Sequence, residues 1–357
     1  MAKQHKKIAV ALSGGVDSLV SAFLLRQEGW DVFGVHFVTG YETRAGNGPC
    51  PDPVAAAADR VGPLADRLRI PLHVVDVRAE FKQSVVAYFT DTYRQGKTPN
   101  PCLVCNPVVK FGTVFEKARK MGADRFATGH YARIDDQGRL LRGIDRTKDQ
   151  SYFLAFLTAR QRAGAVFPLG VRRKKDVVAT ADAEGLVPAA GESQDACFVK
   201  DGDYKAFLTQ HPGFDPEPGP IVDLTGKRIG THRGLYGFTV GQRRGINIPA
   251  AEPYYVIRLE PDCNRIVVGH KADTMTDRCR VEAIRWSGPA PRGPFRADTR
   301  VRYRHRAAAS TVIPAGQQTA AVRFDTPQSA VTPGQGAVFY DGDVVLGGGF
   351  ISGEDRS

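Results

Sequence analysis

The sequence predicts an α/β amino-terminal domain built on a parallel sheet, followed by small all-β modules. Three observations predict it. Short apolar runs alternate with amphipathic stretches through the first third of the chain. A glycine-rich turn joins the first such run to the first helix. From Ile221 onward the texture changes to short alternating apolar segments separated by Gly, Pro, Asn and Asp. At 357 residues the chain exceeds one average domain, so two or three domains are expected. Hydrophobic residues make up 42%, which supports a packed core and excludes a disordered composition.

In chain order, residues 7–12 (KIAVAL) read as a buried strand and residues 18–28 (SLVSAFLLRQE) as an amphipathic helix. A strand at 31–37, a helix at 54–68, a strand at 71–77 and a helix at 80–93 follow. A helix at 109–121 and a strand at 124–128 complete the rhythm, which indicates a parallel sheet covered on both faces. Ligands bind such sheets beyond the carboxyl ends of the strands. Two polar loops interrupt the pattern, 39–53 (TGYETRAGNGPCPDP) and 95–107 (QGKTPNPCLVCNP), long enough to suggest function. Residues 171–175 (VRRKK) lead into another helix, and 211–220 (HPGFDPEPGP) read as a rigid linker or exposed turn. The segments 254–259, 265–268, 320–324 and 337–345 read as strands of small all-β modules, barrels among them.

The formal net charge is +11, from 49 Lys and Arg against 38 Asp and Glu. An excess of this size suggests a polyanionic partner, nucleic acid before membrane, although a solvated basic face explains charge alone equally well. No apolar run approaches the ~18 residues of a membrane span. The basic start MAKQHKK is followed by a strand and has no small-residue cleavage site. Six cysteines in a chain this long do not suggest a secreted disulfide scaffold, and a cytoplasmic location is expected.

The chemistry is concentrated in a few motifs. In residues 11–18 (ALSGGVDS), Ser13, Gly14, Gly15 and Ser18 fall in the turn and at the helix N-terminus. Glycines permit close approach of the backbone, and unpaired N–H groups with the helix dipole favour an anion. The result is a phosphate-cradling loop, though not the GxxxxGKS/T loop, because no lysine follows the second glycine. Cys102 and Cys105 form a C-x-x-C in a Pro-flanked loop, with Asn100 and Lys110 nearby and Cys197 far downstream in ESQDACF. On its own the pair reads as a redox pair, half a zinc site, cluster ligands or a buried, inert pair; zinc would need a second close Cys/His pair, which is absent. The loop composition predicts exposed thiols, and the charge of Lys110 would lower a thiol pKa. Gly129 and His130 (in ATGHYA) follow a predicted strand at the same edge as the phosphate loop. RTKDQSYF (146–153) suits phosphate contact and base stacking, or a helix start capped by Asp149. GQRRG (241–245) and VRYRH (301–305) set arginines beside amides and aromatics, which suits RNA, or form an exposed basic strand face.

The run at 11–18 resembles the pyrophosphate loop of ATP pyrophosphatases, which split ATP to AMP and pyrophosphate. With it, in order, stand TPNPxxxCN (98–106), KFG (110–112), ATGHYA, KDQSYFL (148–154), FPLG (167–170), ESQDxCF, GxHxG (230–234), GQRxG and AVTPGQxAVFYDGDVxLGGG (330–349). Over nearly its whole length the chain resembles the tRNA-specific 2-thiouridylases, which sulfurate C2 of the wobble uridine in certain tRNAs. The resemblance implies a PP-loop domain of the adenine-nucleotide alpha-hydrolase-like type at 1–204, a small β-rich tRNA-binding domain at 205–274 and a β-barrel at 275–357. It implies ATP with Mg2+ on Ala11, Leu12, Ser13, Gly14, Gly15, Val16, Asp17 and Ser18. Phe37 takes the place of a Met in the adenosine pocket, and Gly129 touches the nucleotide. Adenylation of the C2 oxygen makes AMP the leaving group for a sulfur nucleophile. Cys105 is then the nucleophile and Cys197 the carrier of persulfide sulfur, the pair ending as a disulfide that needs reduction. Asn100, Pro101 and Cys102 map to the base-holding segment. His130, Lys148, Asp149, Gln150, Arg302, Tyr303 and Gln335 map to tRNA contacts. The implied partners are tRNA and a sulfur donor, either a cysteine desulfurase or a relay protein.

Two departures from the family pattern matter. Cys102 stands where many members have Asp, so Cys102, Cys105 and Cys197 offer three thiols to a 4Fe–4S cluster whose free iron would hold sulfide. The persulfide route is favoured, because cluster ligation needs a geometry that spacing does not fix. FVTGY (37–41) replaces the usual Met-Lys-Asn-Trp and alters the nucleotide pocket. An ammonia-using amide synthetase or an argininosuccinate-synthase-like ligase explains SGGVDS but neither the thiols nor the basic β-rich half. A non-catalytic RNA-binding protein explains the charge but not an ATP loop beside thiols. Cys50, Cys263 and Cys279 have no assigned role.

Overall fold

The computed structural model describes residues 6–42, 52–188, 196–199 and 202–353, so most of the loop at 39–53, including Cys50, and residues 192–195 of ESQDACF lie outside the described residues. The chain forms two compact units. The first comprises Met1–Val85, Cys102–Lys200 and Asp343–Val345; the second comprises Val86–Pro101, Asp201–Gly342 and Leu346–Ser357.

The first unit contains β1 (Lys7–Ala11), β2 (Asp31–Val38), β3 (Leu72–Asp76), β4 (Arg125–Ala127), β5 (Ala132–Ile134), β6 (Leu140–Arg142) and β7 (Ala165–Val166). Helix α1 (Val16–Gln27) follows β1, and α2 (Pro53–Arg67) precedes β3. A five-stranded sheet runs β3-β2-β1-β4-β7, with every pairing parallel. Its strands are continuous apolar runs because both faces are covered. Ile8, Val10 and Leu12 are buried against Leu19, Leu25, Val61 and Val177 from the flanking helices. The strand order reverses between β1 and β4, which makes the carboxyl ends of these two strands a topological switch point. The predicted strand–turn–helix around residues 11–18 ends there.

The expected loop at 95–107 is corrected in its second half. A helix begins at Pro101 (Pro101–Cys105), continues as a π-helix over Asn106–Val114 and returns to α-geometry at Phe115–Lys120. Proline is favoured at a first helical position. Interior Pro107 lacks the N–H that an α-turn requires, and the wide π turns accommodate it. Gln161 supports this stretch. Its Nε2 donates to the carbonyls of Pro107 (2.6 Å) and Phe111 (3.1 Å), while its backbone N–H and Oε1 close a capping box with Thr158. Gln161→Ala is therefore expected to cost about 1–3 kcal/mol in urea unfolding, from half of the capping box and two hydrogen bonds to helix carbonyls.

In the second unit, β8 (Gly219–Val222), β9 (Arg228–His232), β10 (Tyr255–Glu260) and β11 (Arg265–Gly269) form a four-stranded sheet ordered β10-β11-β8-β9. Ile221, Phe238, Ile246, Val256, Ile266 and Val268 fill its core. Six further strands follow: β12 (Met275–Trp286), β13 (Phe295–Arg300), β14 (Ala308–Pro314), β15 (Ala320–Ser329), β16 (Gly336–Asp341) and β17 (Val344–Gly353). They run β12-β15-β14-β13-β16-β17, and β12 also pairs with β17, closing a six-stranded barrel. Closure removes the sheet edges, and Val281, Val312, Val322, Phe339 and Ile351 fill the interior. The single apolar segment expected at 337–345 is two strands, split by the turn at Gly342. VRYRH forms a turn between β13 and β14, not a strand face.

Candidate functional site

The glycine-rich loop at 11–18, the candidate phosphate loop, is built at the switch point. Gly15 caps α1 in an extended conformation with no side-chain acceptor, so the first N–H groups face a prospective anion. Gly14 turns the chain with φ +88°. Ser18 Oγ donates to the Gly15 carbonyl at 2.8 Å and lies 3.3 Å from both the backbone N and the Oγ of Ser13, which ties the loop to its own helix.

Asp17 is held from two distant points of the chain. Tyr131 Oη donates to its Oδ1 at 2.7 Å, and Lys174 Nζ donates to Oδ1 and Oδ2 at 2.8 and 2.9 Å. Sequence reasoning missed both partners. Tyr131 stood inside ATGHYA and Lys174 inside VRRKK, where only the basic character was read. Gly129 packs on the same residue: a Cβ there would stand 2.9 Å from the Asp17 carbonyl carbon and 3.1 Å from its oxygen. His36 was also missed. It is buried, with Nδ1 2.6 Å from the Leu12 carbonyl and Nε2 facing Arg60 Nη2 at 3.2 Å. Those partners require Nδ1–H to donate and Nε2 to accept, and burial lowers the pKa, so the ring is neutral. Phe37 beside it is half-buried.

The thiols lie in the same unit. Cys102 is half-buried, Cys105 is buried and Cys197 is exposed; all three are free. The expectation of exposed thiols in an open loop is corrected for Cys105, because the helix beginning at Pro101 turns it inward at 7% exposure. Lys110 follows Cys105 by five residues. In a π-helix, where hydrogen bonds run from i to i+5, that spacing brings both to one side; in an α-helix it would set them nearly opposite. The positive charge of Lys110 reaches Cys102, Cys105, Cys197 and His130. It does not dominate. Burial pushes the Cys102 thiol up to about 11, with the neighbouring Cys197 charge adding and Lys110 opposing. Burial likewise pushes Cys105 up to about 12, against the pull of Lys110. The expected lowering by Lys110 is thus overridden by desolvation. Since thiolate is the reactive form, alkylation of Cys102 and Cys105 in the free protein is expected to keep rising with pH past the ordinary thiol range of ~8.5. Lys110→Met is expected to slow it further, read by iodoacetamide labelling and peptide mass spectrometry.

His130 is half-buried, its Nδ1 2.7 Å from Thr128 Oγ1. Burial first, then Lys110, lower its pKa well below the usual value, so it is neutral at physiological pH. Asp149 is buried, and its Oδ1 accepts the backbone N–H groups of Gly143 and Ser151, both at 3.1 Å. Gln150 stands at the N-cap position of the Ser151–Leu154 helix without a side-chain cap bond, and its Oε1 accepts the Tyr131 N–H at 3.1 Å. Lys148 is half-buried. The second unit holds Asn100, Pro101, Arg302, Tyr303 and Gln335. Arg302 is exposed, and Tyr303 stacks under the Arg300 guanidinium at 5.2 Å. Arg243 and Arg244 are exposed. Among the described residues, no group of three or more His, Cys, Asp or Glu is arranged to hold a metal ion.

Residues 6–201 match a family model described as the tRNA methyl transferase HUP domain. Residues 205–270 match a tRNA methyl transferase PRC-barrel domain, and 276–351 an aminomethyltransferase beta-barrel domain. A tRNA-specific 2-thiouridylase MnmA from Desulfosudis oleivorans is 47% identical over 351 residues, covering 97% of this chain and 95% of that protein. The chain belongs to the tRNA-specific 2-thiouridylase family. A second 2-thiouridylase, from Syntrophotalea carbinolica, is 46% identical over 356 residues, covering 99% of this chain and 100% of that protein. A third, from Geotalea uraniireducens, is 42% identical over 357 residues, with 98% and 95% covered. In this 2-thiouridylase Gly129 abuts Asp17 in the first unit, and in the same unit the charge of Lys110 acts on His130 and on the thiols.

Proposed function

We propose that this protein is an ATP-dependent tRNA-uridine 2-sulfurtransferase acting on the wobble uridine through cysteine persulfide. The observation that carries the reading is one unit that holds both a glycine-rich loop at a helix N-terminus, abutted by Gly129, and the free thiols Cys105 and Cys197. ATP binds with its phosphates at Ala11 to Ser18 and its adenosine toward Phe37 and Gly129. Mg2+ enters as part of the MgATP substrate, since both Asp17 oxygens already face Tyr131 or Lys174.

The uridine O2 attacks the α-phosphorus, pyrophosphate leaves, and C2 carries an O-adenylyl group. The terminal sulfur of a Cys197 persulfide attacks C2, and AMP departs with the electron pair of the broken C–O bond. The Cys105 thiolate then attacks the inner sulfur of the Cys197–S–S–C2 link. The electron pair of that S–S bond passes to the sulfur on C2, giving 2-thiouridine and a Cys105–Cys197 disulfide. An external dithiol reduces the disulfide before a donor, a cysteine desulfurase or relay protein, reloads Cys197. Burial keeps Cys105 protonated in the free protein, so its thiolate forms when the site is assembled.

The three thiols share the field of Lys110 and act on one another, and the persulfide reading uses Cys105 and Cys197 covalently and Cys102 not at all. The net charge of +11 and the exposed arginines of 241–245 and 301–305 support tRNA as the partner. Lys148, Gln150, Arg302, Tyr303 and Gln335 belong to that contact in this reading, with boundaries near 204/205 and 274/275 and a cytoplasmic location; Asp149, expected there too, is buried and instead holds the backbone N–H groups of Gly143 and Ser151. Among the described residues no helix is long and apolar enough to cross a membrane. The test is AMP release with and without an unmodified tRNA transcript. Release that requires tRNA and is accompanied by 2-thiouridine supports the reading. Release without tRNA indicates an amide synthetase, and no release indicates a non-catalytic binder.

A further inference from the structure

Within the second unit, the segment 98–101 is fastened from the barrel and from the small central sheet module. Gln335 Nε2 donates to the carbonyls of both Thr98 and Pro99 at 3.0 Å. Because both partners are acceptors, the amide nitrogen must face them. Thr98 N–H donates to the Pro333 carbonyl at 2.9 Å, and Thr98 Oγ1 to Thr239 Oγ1 at 3.1 Å. Tyr88 Oη bridges the Gly334 carbonyl (3.4 Å) and the Asn100 N–H (3.3 Å). Gly334 has φ +90°, and a Cβ there would stand 2.7 Å from the Thr98 carbonyl oxygen. The turn itself is anchored in the barrel by Gly334 N–H to the Ile351 carbonyl and Ile351 N–H to the Gln335 carbonyl, both at 2.8 Å.

We propose that Gln335 is a positioning residue, spending both amide hydrogens on Thr98 and Pro99 so that Asn100 and Pro101 are fixed for the target base. This rests on the proposed tRNA thiolation, and it changes what Gln335 does. Its nitrogen is committed to the protein, and only Oε1 remains to accept from RNA. The barrel then orders the base-holding segment before any tRNA arrives; because affinity for tRNA comes mainly from phosphate contacts elsewhere, its order shows in the rate of the chemical step rather than in Kd.

The test uses the full chain with Gln335→Glu and Gln335→Met. Glu keeps the shape and acceptor character but loses both donors; Met loses all polar contact. Three quantities are read: hydrogen exchange over 95–100 without tRNA, single-turnover thiolation at saturating tRNA, and the tRNA Kd. Both variants are expected to exchange faster over 95–100. Thiolation should be slowed about tenfold, the loss for two neutral hydrogen bonds, with Kd within about twofold of the parent. Unchanged exchange overturns the proposal. So does a weakened Kd with an intact saturated rate, which would make Gln335 a simple RNA contact. Thermal melting separates a misfolded Met variant from a folded Glu variant, and the folded one decides. If the parent protein thiolates no tRNA, the functional reading fails, while the exchange measurement still decides the clamp.

Discussion

Cys105→Ala and Cys197→Ala are each expected to reduce tRNA thiolation to background, at least about 10³-fold, because each removes a reacting sulfur. Adenylation should survive in both. The phosphate loop, with Asp17 held by Tyr131 and Lys174, involves neither thiol. Both variants should therefore still release pyrophosphate when given ATP and tRNA, read by a coupled pyrophosphate assay beside nucleoside mass spectrometry. They should differ in one respect: Cys105→Ala still accepts persulfide sulfur on Cys197, and Cys197→Ala does not. Cys102→Ala is the contrast. Its thiol is half-buried and has no covalent role in the scheme, so thiolation should fall only severalfold. A loss in Cys102→Ala as complete as in the other two would mean that all three sulfurs act together.

Gly129→Val carries the second large effect. A Cβ at 129 would meet the Asp17 carbonyl carbon at 2.9 Å and the Asp17 Cβ at 3.0 Å. Backbone cannot swing away as a side-chain end does, so the first turn of α1 must shift. Overpacking of this kind costs roughly 1–3 kcal/mol of stability. A displacement near 1 Å of the phosphate-holding groups is expected to slow pyrophosphate release about 100-fold or more. Lys174→Met separates the two causes, since it removes the ion pair at Asp17 without adding bulk. A Gly129→Val protein that melts lower yet releases pyrophosphate at the parental rate would show that the Asp17 turn does not position the phosphates.

Much of this arrangement was legible in the sequence. The parallel sheet followed from apolar runs of strand length separated by helical periods, and the phosphate loop from a glycine pair between such a run and a helix. The closed barrel was legible as texture only, because the pairing that closes it joins β12 to β17, far apart in sequence. The helix from Pro101 was hidden by its own composition. Pro101 and Pro107 read as loop residues, yet Pro101 starts the helix, and π turns with Gln161 accommodate Pro107. That misreading had a chemical consequence. Thiols expected to be exposed and acidified are partly or fully buried, with their pKa values raised. Tyr131 and Lys174 act on Asp17 across 114 and 157 residues of chain, a relation with no local signature. The sequence offered Gln335 only as one of the positions resembling tRNA contacts; its hold on Thr98 and Pro99 depends on a fold that brings positions 237 and 236 residues apart into contact.

The most direct measurement follows sulfur and phosphate together in a single turnover. The protein is loaded with radiolabelled sulfur from cysteine by a desulfurase, freed of the donor and mixed with an unmodified tRNA transcript, with and without MgATP. The account predicts that label leaves Cys197 and appears in 2-thiouridine only with ATP, in step with AMP and pyrophosphate. Label that stays on the protein while AMP accumulates, or AMP formed without tRNA, would contradict it.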